Sequence, residues 1–272
     1  MDLKIDQHNC YIYTGSRPFD AAQPSIAFIH GGGLDHTVWN LLSRYFAHHG
    51  YNALAVDLPG HGRSGGALLQ SIEAMAQWLL ELLDTLSITQ TALIGHSMGS
   101  LVALHGAGTF SGRVNFVGLL GIAVPMRVSD ELLNAAQNND HSAMDMVNLW
   151  GHGYGAQLGG NQAPGMWMTG GGVRLLERGA DGVLYNDLNA CNAYSQGLEV
   201  AAQIQCPAQI LLGRQDIMAS PRQARKLIQA ITDVQTFELH PCGHMLMAEQ
   251  PNQVLDILID GLALARRTKM VA

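Results

Sequence analysis

The sequence predicts an α/β chain: a mostly parallel central sheet with helices on both faces and an inserted, mainly helical cap. Three observations carry this. Short, largely apolar runs at 25–29, 51–56, 91–94 and 208–212 suit strands covered on both sides. Helical periodicities lie between them, and such alternation calls for right-handed crossovers and parallel pairing. The alternation lapses from about Pro125 to Cys206, where the composition shifts to Met, Asn, Gly and Trp, and it resumes at Pro207.

A chain of 272 residues, 47% of them hydrophobic, can bury one substantial core. The expected division is a core from 1–124 and 207–272, with 125–206 as the cap. With 15 Lys+Arg against 22 Asp+Glu the net charge is −7, and no basic cluster exceeds Arg266-Arg267. That excludes a nucleic-acid surface. The start, Met1 to Asp6, alternates charged and apolar residues, and no apolar segment approaches a membrane span. A cytoplasmic monomer or homodimer acting on a small-molecule substrate is expected. Cys10, Cys191, Cys206 and Cys242 are widely spaced, without a C-x-x-C pair, and read as free, buried thiols.

In chain order, two weak strands around Leu3–Ile5 and Cys10–Tyr13 precede a polar loop to Pro24. Strand 25–29 then runs into His30-Gly31-Gly32-Gly33. Glycines at a strand end let backbone N–H groups turn toward a ligand without a Cβ in the way, which is what an oxyanion site needs. A plain glycine turn is the alternative, for a second triplet stands at Gly170-Gly171-Gly172. Val38 to His49 has helical spacing and stops at Gly50. Strand 51–56 closes in Asp57-Leu58-Pro59-Gly60-His61-Gly62-Arg63-Ser64, where the density of Pro and Gly assigns Asp57 and His61 to a shaped turn ahead of catalysis. Ser71 to Leu86 is a capped helix with a buried stripe from Ile72 to Leu86.

The strand at Thr91–Ile94 leads into Gly95-His96-Ser97-Met98-Gly99 and a helix opening at Leu101. A serine in G-x-S-x-G between strand and helix reads as a nucleophile elbow, its hydroxyl presented by a strained turn. A further strand covers 114–123. Within the cap, 129–137 and 173–178 are helical patches, and Trp150, Trp167 and methionines such as Met144, Met146, Met166 and Met168 are candidates for an adaptable lid over an apolar pocket. Packing of the lid onto the sheet is the alternative for each of them. His141 and His152 have no metal-ligand spacing around them, so no metal site is expected. Strand 208–212 then delivers Asp216, a helix spans Pro221–Ile231, strand 234–239 runs toward His244, and a helix over Pro251–Arg266 covers the sheet. Serine, aspartate and histidine thus each follow a strand, at the sheet edge where ligands of open α/β sheets bind.

On the stretches 30–33, 57–64, 95–99, Gly213-Arg214-Gln215-Asp216 and Gly243-His244 the chain resembles the serine-nucleophile members of the α/β-hydrolase superfamily with a helical cap. Small esterases, enol-lactonases and proline iminopeptidases share this layout. The resemblance implies Ser97 as nucleophile, Asp216 as orienting acid and His244 as base. It implies backbone N–H groups of Met98 and of Gly32 or Gly33 as oxyanion donors, with no cofactor required. Serine at the elbow departs from relatives with aspartate there, which argues against dehalogenase or epoxide hydrolase chemistry. Ester or lactone hydrolysis is the leading expectation. Carbon-carbon cleavage, elimination, amide cleavage, or a slow-turnover receptor role on the same three residues are the alternatives. A peptidase would bring acidic cap residues to the pocket. Asp187, at the far end of the cap, competes with Asp216, which is favoured because it follows a recognisable core strand.

Overall fold

The structure, a computed structural model, describes residues 1–160, 162 and 167–271. Met166 lies outside the described residues. Strands β1 (Asp2–Ile5), β2 (His8–Tyr13), β3 (Ser25–Ile29), β4 (Asn52–Val56), β5 (Thr91–His96), β6 (Val114–Leu120), β7 (Ala208–Gly213) and β8 (Val234–Leu239) form a sheet ordered β1-β2-β4-β3-β5-β6-β7-β8. β2 pairs antiparallel with β1 and with β4, and the remaining neighbours are parallel.

Side chains along β3 alternate between two cores, as the pleat requires. Ala27 and Ile29 pack with helices α2 (Ile72–Thr85) and α3 (Met98–Thr109), while Ile26 and Phe28 pack on the opposite face with α1 (Asn40–His48). α1 starts later than its periodicity predicts, because His36–Trp39 form a 3-10 turn whose Asp35 cap accepts the Thr37 N–H. Ser71 caps α2 by accepting the Ala74 N–H at 3.1 Å. β6 stops at Leu120, short of the expected 123, because Gly121 takes a left-handed φ of +59° and turns the chain.

Among the described residues six helices stand between β6 and β7: α4 (Asp130–Gln137), α5 (His141–Gly151), α6 (Tyr154–Gln157), α7 (Met168–Leu176), α8 (Val183–Ala193) and α9 (Gly197–Ala201). The second glycine triplet is part of α7, which begins ahead of the helical patch expected from 173. Leu132, Ala136, Leu176, Leu184 and Leu188 make a small core of their own together with Leu34. α9 packs instead on α3 and on α10 (Pro221–Ala230). A short α11 (Leu246–Glu249) precedes α12 (Pro251–Val271), which outruns its expected end at Arg266 and packs with α1 under Phe28. No helix among the described residues is long and apolar enough to cross a membrane. All four cysteines are free and buried.

Candidate active site

Ser97 sits between β5 and α3 at φ +53°, ψ −118°, a backbone conformation that costs a non-glycine residue about 1–3 kcal/mol. Its neighbours explain how the turn is held. A Cβ on Gly95 would stand 1.9 Å from the Gly99 carbonyl oxygen, and one on Gly99 would stand 2.2 Å from that of Ile29. Only glycine fits at either place, so strand, turn and helix close on one another. The Ser97 N–H donates to the Leu120 carbonyl at 2.9 Å, and Ser100 Oγ donates to the Ser97 carbonyl at 2.5 Å. Because α3 begins at Met98, that residue's N–H has no acceptor within the helix.

Asp216 and His244 come together beyond the ends of β7 and β8. His244 Nδ1 donates to Asp216 Oδ2 at 2.6 Å, while Asp216 Oδ1 accepts the N–H groups of Met218 and Ala219, each at 2.8 Å. Burial works to raise the Asp216 carboxyl. The facing imidazole, its hydrogen bond and the two backbone donors outweigh that and hold it below its ordinary value. The proton on Nδ1 leaves Nε2 as the bare nitrogen of the neutral ring, and Nε2 is buried without a hydrogen-bond partner. The ring is seated against Gly121, where a Cβ would come within 3.0 Å of Nδ1. His96 supports it from behind: its Nε2 donates to the His244 carbonyl at 2.9 Å, and burial followed by the charge of His244 pushes its pKa down to about 3.

Ser97 and His244 line a single cavity of about 210 Å³, together with Gly32, Met98 and Trp150. Its remaining wall is mainly apolar, with Met126, Leu132, Val147, Leu176 and Ile217. Among the described residues no carboxylate lines it. Trp167, expected as a second substrate-binding tryptophan, is 74% exposed and stands outside this lining. Its ring packs over Gly170 in α7, which accounts for its outward position.

The two candidate donors in the glycine loop are now distinguishable. Gly33 gives its N–H to Asp187 Oδ2 at 2.8 Å, so it is not available to a substrate oxyanion. Among the described residues the Gly32 N–H has no acceptor, and Gly32 lines the cavity. His30, preceding the triplet, accepts the Leu58 N–H on Nε2 at 3.2 Å and donates from Nδ1 to the Gly31 carbonyl at 2.8 Å. It is a neutral ring by this pattern, and burial pushes its pKa down to about 4.

Asp187 is therefore engaged away from His244, with Gly33 and with His61 Nε2 at 2.8 Å. Asp57 shapes its turn as expected, accepting the His36 N–H at 2.7 Å, His36 Nδ1 at 2.8 Å and the Arg63 N–H at 2.9 Å. Asp35, His36 and Asp57 form the one buried group with possible metal-ligand atoms among the described residues, and no motif spacing had pointed to it. Those atoms already serve capping and turn hydrogen bonds. Glu249 also went unrecognised in the sequence. Its carboxylate accepts the N–H groups of Gly243 and Gly153 at 3.0 Å, tying the His244 loop to the segment after α5. Cys242, near His244 in sequence, is buried and its thiol is pushed up by that burial, which leaves it unreactive.

A model of the alpha/beta hydrolase family matches residues 26–257. Among solved structures, an enol-lactonase from Burkholderia xenovorans superposes with a TM-score of 0.85 over 97% of this chain and 100% of its own, at 21% identity, a likeness of fold. A 78-residue stretch is 35% identical to an (E)-2-((N-methylformamido)methylene)succinate hydrolase of Acinetobacter baylyi, covering 28% of this chain and 29% of that protein. Another 78-residue match is 42% identical to a pimeloyl-[acyl-carrier protein] methyl ester esterase of Klebsiella pneumoniae, covering 29% of this chain and 28% of that protein. The chain thus aligns with under a third of the length of these two curated relatives.

Proposed function

Given that the chain belongs to the alpha/beta hydrolase family, we propose that it cleaves a small carboxylic ester or lactone through an acyl-enzyme on Ser97. The observation that carries this is a His244 ring with Nδ1 held by Asp216 at 2.6 Å and Nε2 unpartnered, lining the same cavity as a serine on a strained elbow. In this reading His244 Nε2 takes the Ser97 proton as Oγ attacks the carbonyl carbon, and Asp216 stabilises the imidazolium. The N–H groups of Met98 and Gly32 hold the tetrahedral oxyanion, a kind of contact whose loss costs about 2.7–4 kcal/mol of barrier. His244 returns the proton to the leaving alkoxide, then activates water to release the acyl group. For a lactone the leaving alkoxide and the acyl group belong to one molecule, so a hydroxy acid departs.

We read 125–206 as a cap over the core of 1–124 and 207–272, with Trp150 on the substrate's wall and Trp167 outside it. The lining is mainly apolar, holds no carboxylate among the described residues and includes Arg127, which favours an acyl chain without a cationic group over a peptide amine. Relatives that act on a methyl ester, and a structural neighbour that is an enol-lactonase, support the same class. Ser97→Ala is expected to abolish hydrolysis of p-nitrophenyl esters while leaving the circular dichroism spectrum intact, and a fluorophosphonate should label Ser97 alone. Full activity in that variant, or labelling elsewhere, overturns the assignment.

A further inference from the structure

Three consecutive glycines at 31–33 have no side chains to fix them, yet an oxyanion donor works only if it is in place before charge develops. Gly31 must stay bare because a Cβ there would lie 2.9 Å from His96 Nδ1 and 3.3 Å from Ser97 Cβ. The loop's order has to come from elsewhere. On one side it comes from His30, bonded to Leu58 and to the Gly31 carbonyl. On the other it comes from α8.

We propose that Asp187, on the inserted helix α8, is a positioning residue for the oxyanion donor Gly32. It is fully buried, and its Oδ2 accepts the Gly33 N–H and His61 Nε2, both at 2.8 Å. A Cβ on Gly32 would stand 3.1 Å from Asp187 Cβ, so the aspartate is packed directly on the donor residue as well. Both His61 nitrogens face acceptors, Nδ1 the Pro59 carbonyl at 3.1 Å and Nε2 the carboxylate, so both donate and the ring is an imidazolium. That cation balances a carboxylate which, alone, would oppose negative charge in the neighbouring hole. Burial works to raise the Asp187 carboxyl, and the His61 charge with the hydrogen bonds from His61 and Gly33 outweighs it.

The consequence is a link between cap and chemistry. His61 belongs to the turn after β4, Gly33 to the loop after β3, and Asp187 to the insertion, so the donor is ordered only while α8 is seated. This rests on the hydrolase reading above and is tested in the full chain with p-nitrophenyl butyrate. Misplacing a catalytic group by an ångström costs roughly a hundredfold, so Asp187→Ala is expected to lower kcat by about that factor with KM unchanged. Asp187→Asn, whose amide oxygen can still accept the Gly33 N–H, should restore most of kcat. A folded Asp187→Ala with wild-type kcat, or one in which only KM rises, overturns the proposal. Should Asp187→Ala fail to fold, His61→Leu and His61→Gln carry the test: Gln keeps a donor for Asp187 and must outperform Leu in kcat, and equal rates overturn the proposal. Fluorophosphonate labelling of the wild-type chain separates the two levels. No labelling of Ser97 removes the hydrolase reading and this one with it, whereas labelling with an indifferent position 187 removes this one alone.

Discussion

At the residue scale, the arrangement separates groups that perform the proposed chemistry from those that hold them. Asp216 is bonded to one imidazole nitrogen and two backbone N–H groups, so Asp216→Asn can keep the backbone contacts while losing the charge. The amide can also donate, which lets the ring settle with its proton on Nε2, the wrong nitrogen for a base. Loss of about 10⁴ in kcat is expected for such a tautomer switch, read from ester turnover in a variant of unchanged melting temperature. A kcat near that of the unaltered chain would remove Asp216 from its assigned role. The candidates Ser97 and Asp216 stood out in the sequence because each follows a buried, apolar strand, whereas the strand before His244 is largely exposed and only its place after that strand and the Gly243-His244 motif marked it. Asp187 was visible only as a competitor for Asp216, since its partner Gly33 is 154 positions away and no local pattern marks a backbone N–H as a future donor.

The elements were legible where one face is apolar throughout. α2 and α12 announce themselves in this way, and α3, buried from Met98 to Gly108, follows from the elbow. α8 was hidden for a physical reason. Its buried stripe runs Leu184, Asp187, Leu188, Cys191, and a charged residue in the second place breaks the hydrophobic period that a sequence reading relies on. α5 was hidden for the opposite reason, with only Ala143 and Gly151 fully buried. Close approach between elements was equally silent. A Cβ on Gly108 of α3 would lie 2.3 Å from the Val200 carbonyl oxygen of α9, so the end of the insertion is pressed directly on the central helix. Gly108→Ala is expected to destabilise the fold by about 1–3 kcal/mol, as overpacking does, despite alanine's better helix propensity. A melting temperature at or above that of the unaltered chain would show that α9 yields at no cost.

For the whole molecule, parallel pairing and two-sided cover followed from the order of strands and helices, but the swap that sets β4 between β2 and β3 left no trace in the sequence. The polar interior has a collective consequence for stability. His30 and His96 are neutral in the folded chain, with values of about 4 and about 3 against 6.5 when unperturbed, burial being the main cause for both. Below pH 6.5 the unfolded chain therefore binds protons that the native one refuses. Stability falls as pH drops from 6.5 toward 4, by up to about 1.4 kcal/mol per pH unit for each ring. His61 acts with the opposite sign. Burial lowers its value, but the charge and hydrogen bond of Asp187 outweigh that and raise it, so its contribution is complete below pH 6.5 and fades as pH rises through its folded value. Asp187 and Asp216, both held below their ordinary values, lose their contributions only further down, beneath about pH 3.9. Stability should then peak near neutrality, with an acid limb set by these two buried histidines. His96→Gln keeps a donor for the His244 carbonyl but cannot titrate, so thermal melts between pH 7 and 5 should show a shallower decline than in the parent chain. An equally steep decline would mean that His96 takes up its proton without unfolding, and that the core behind His244 is wetter than its burial implies.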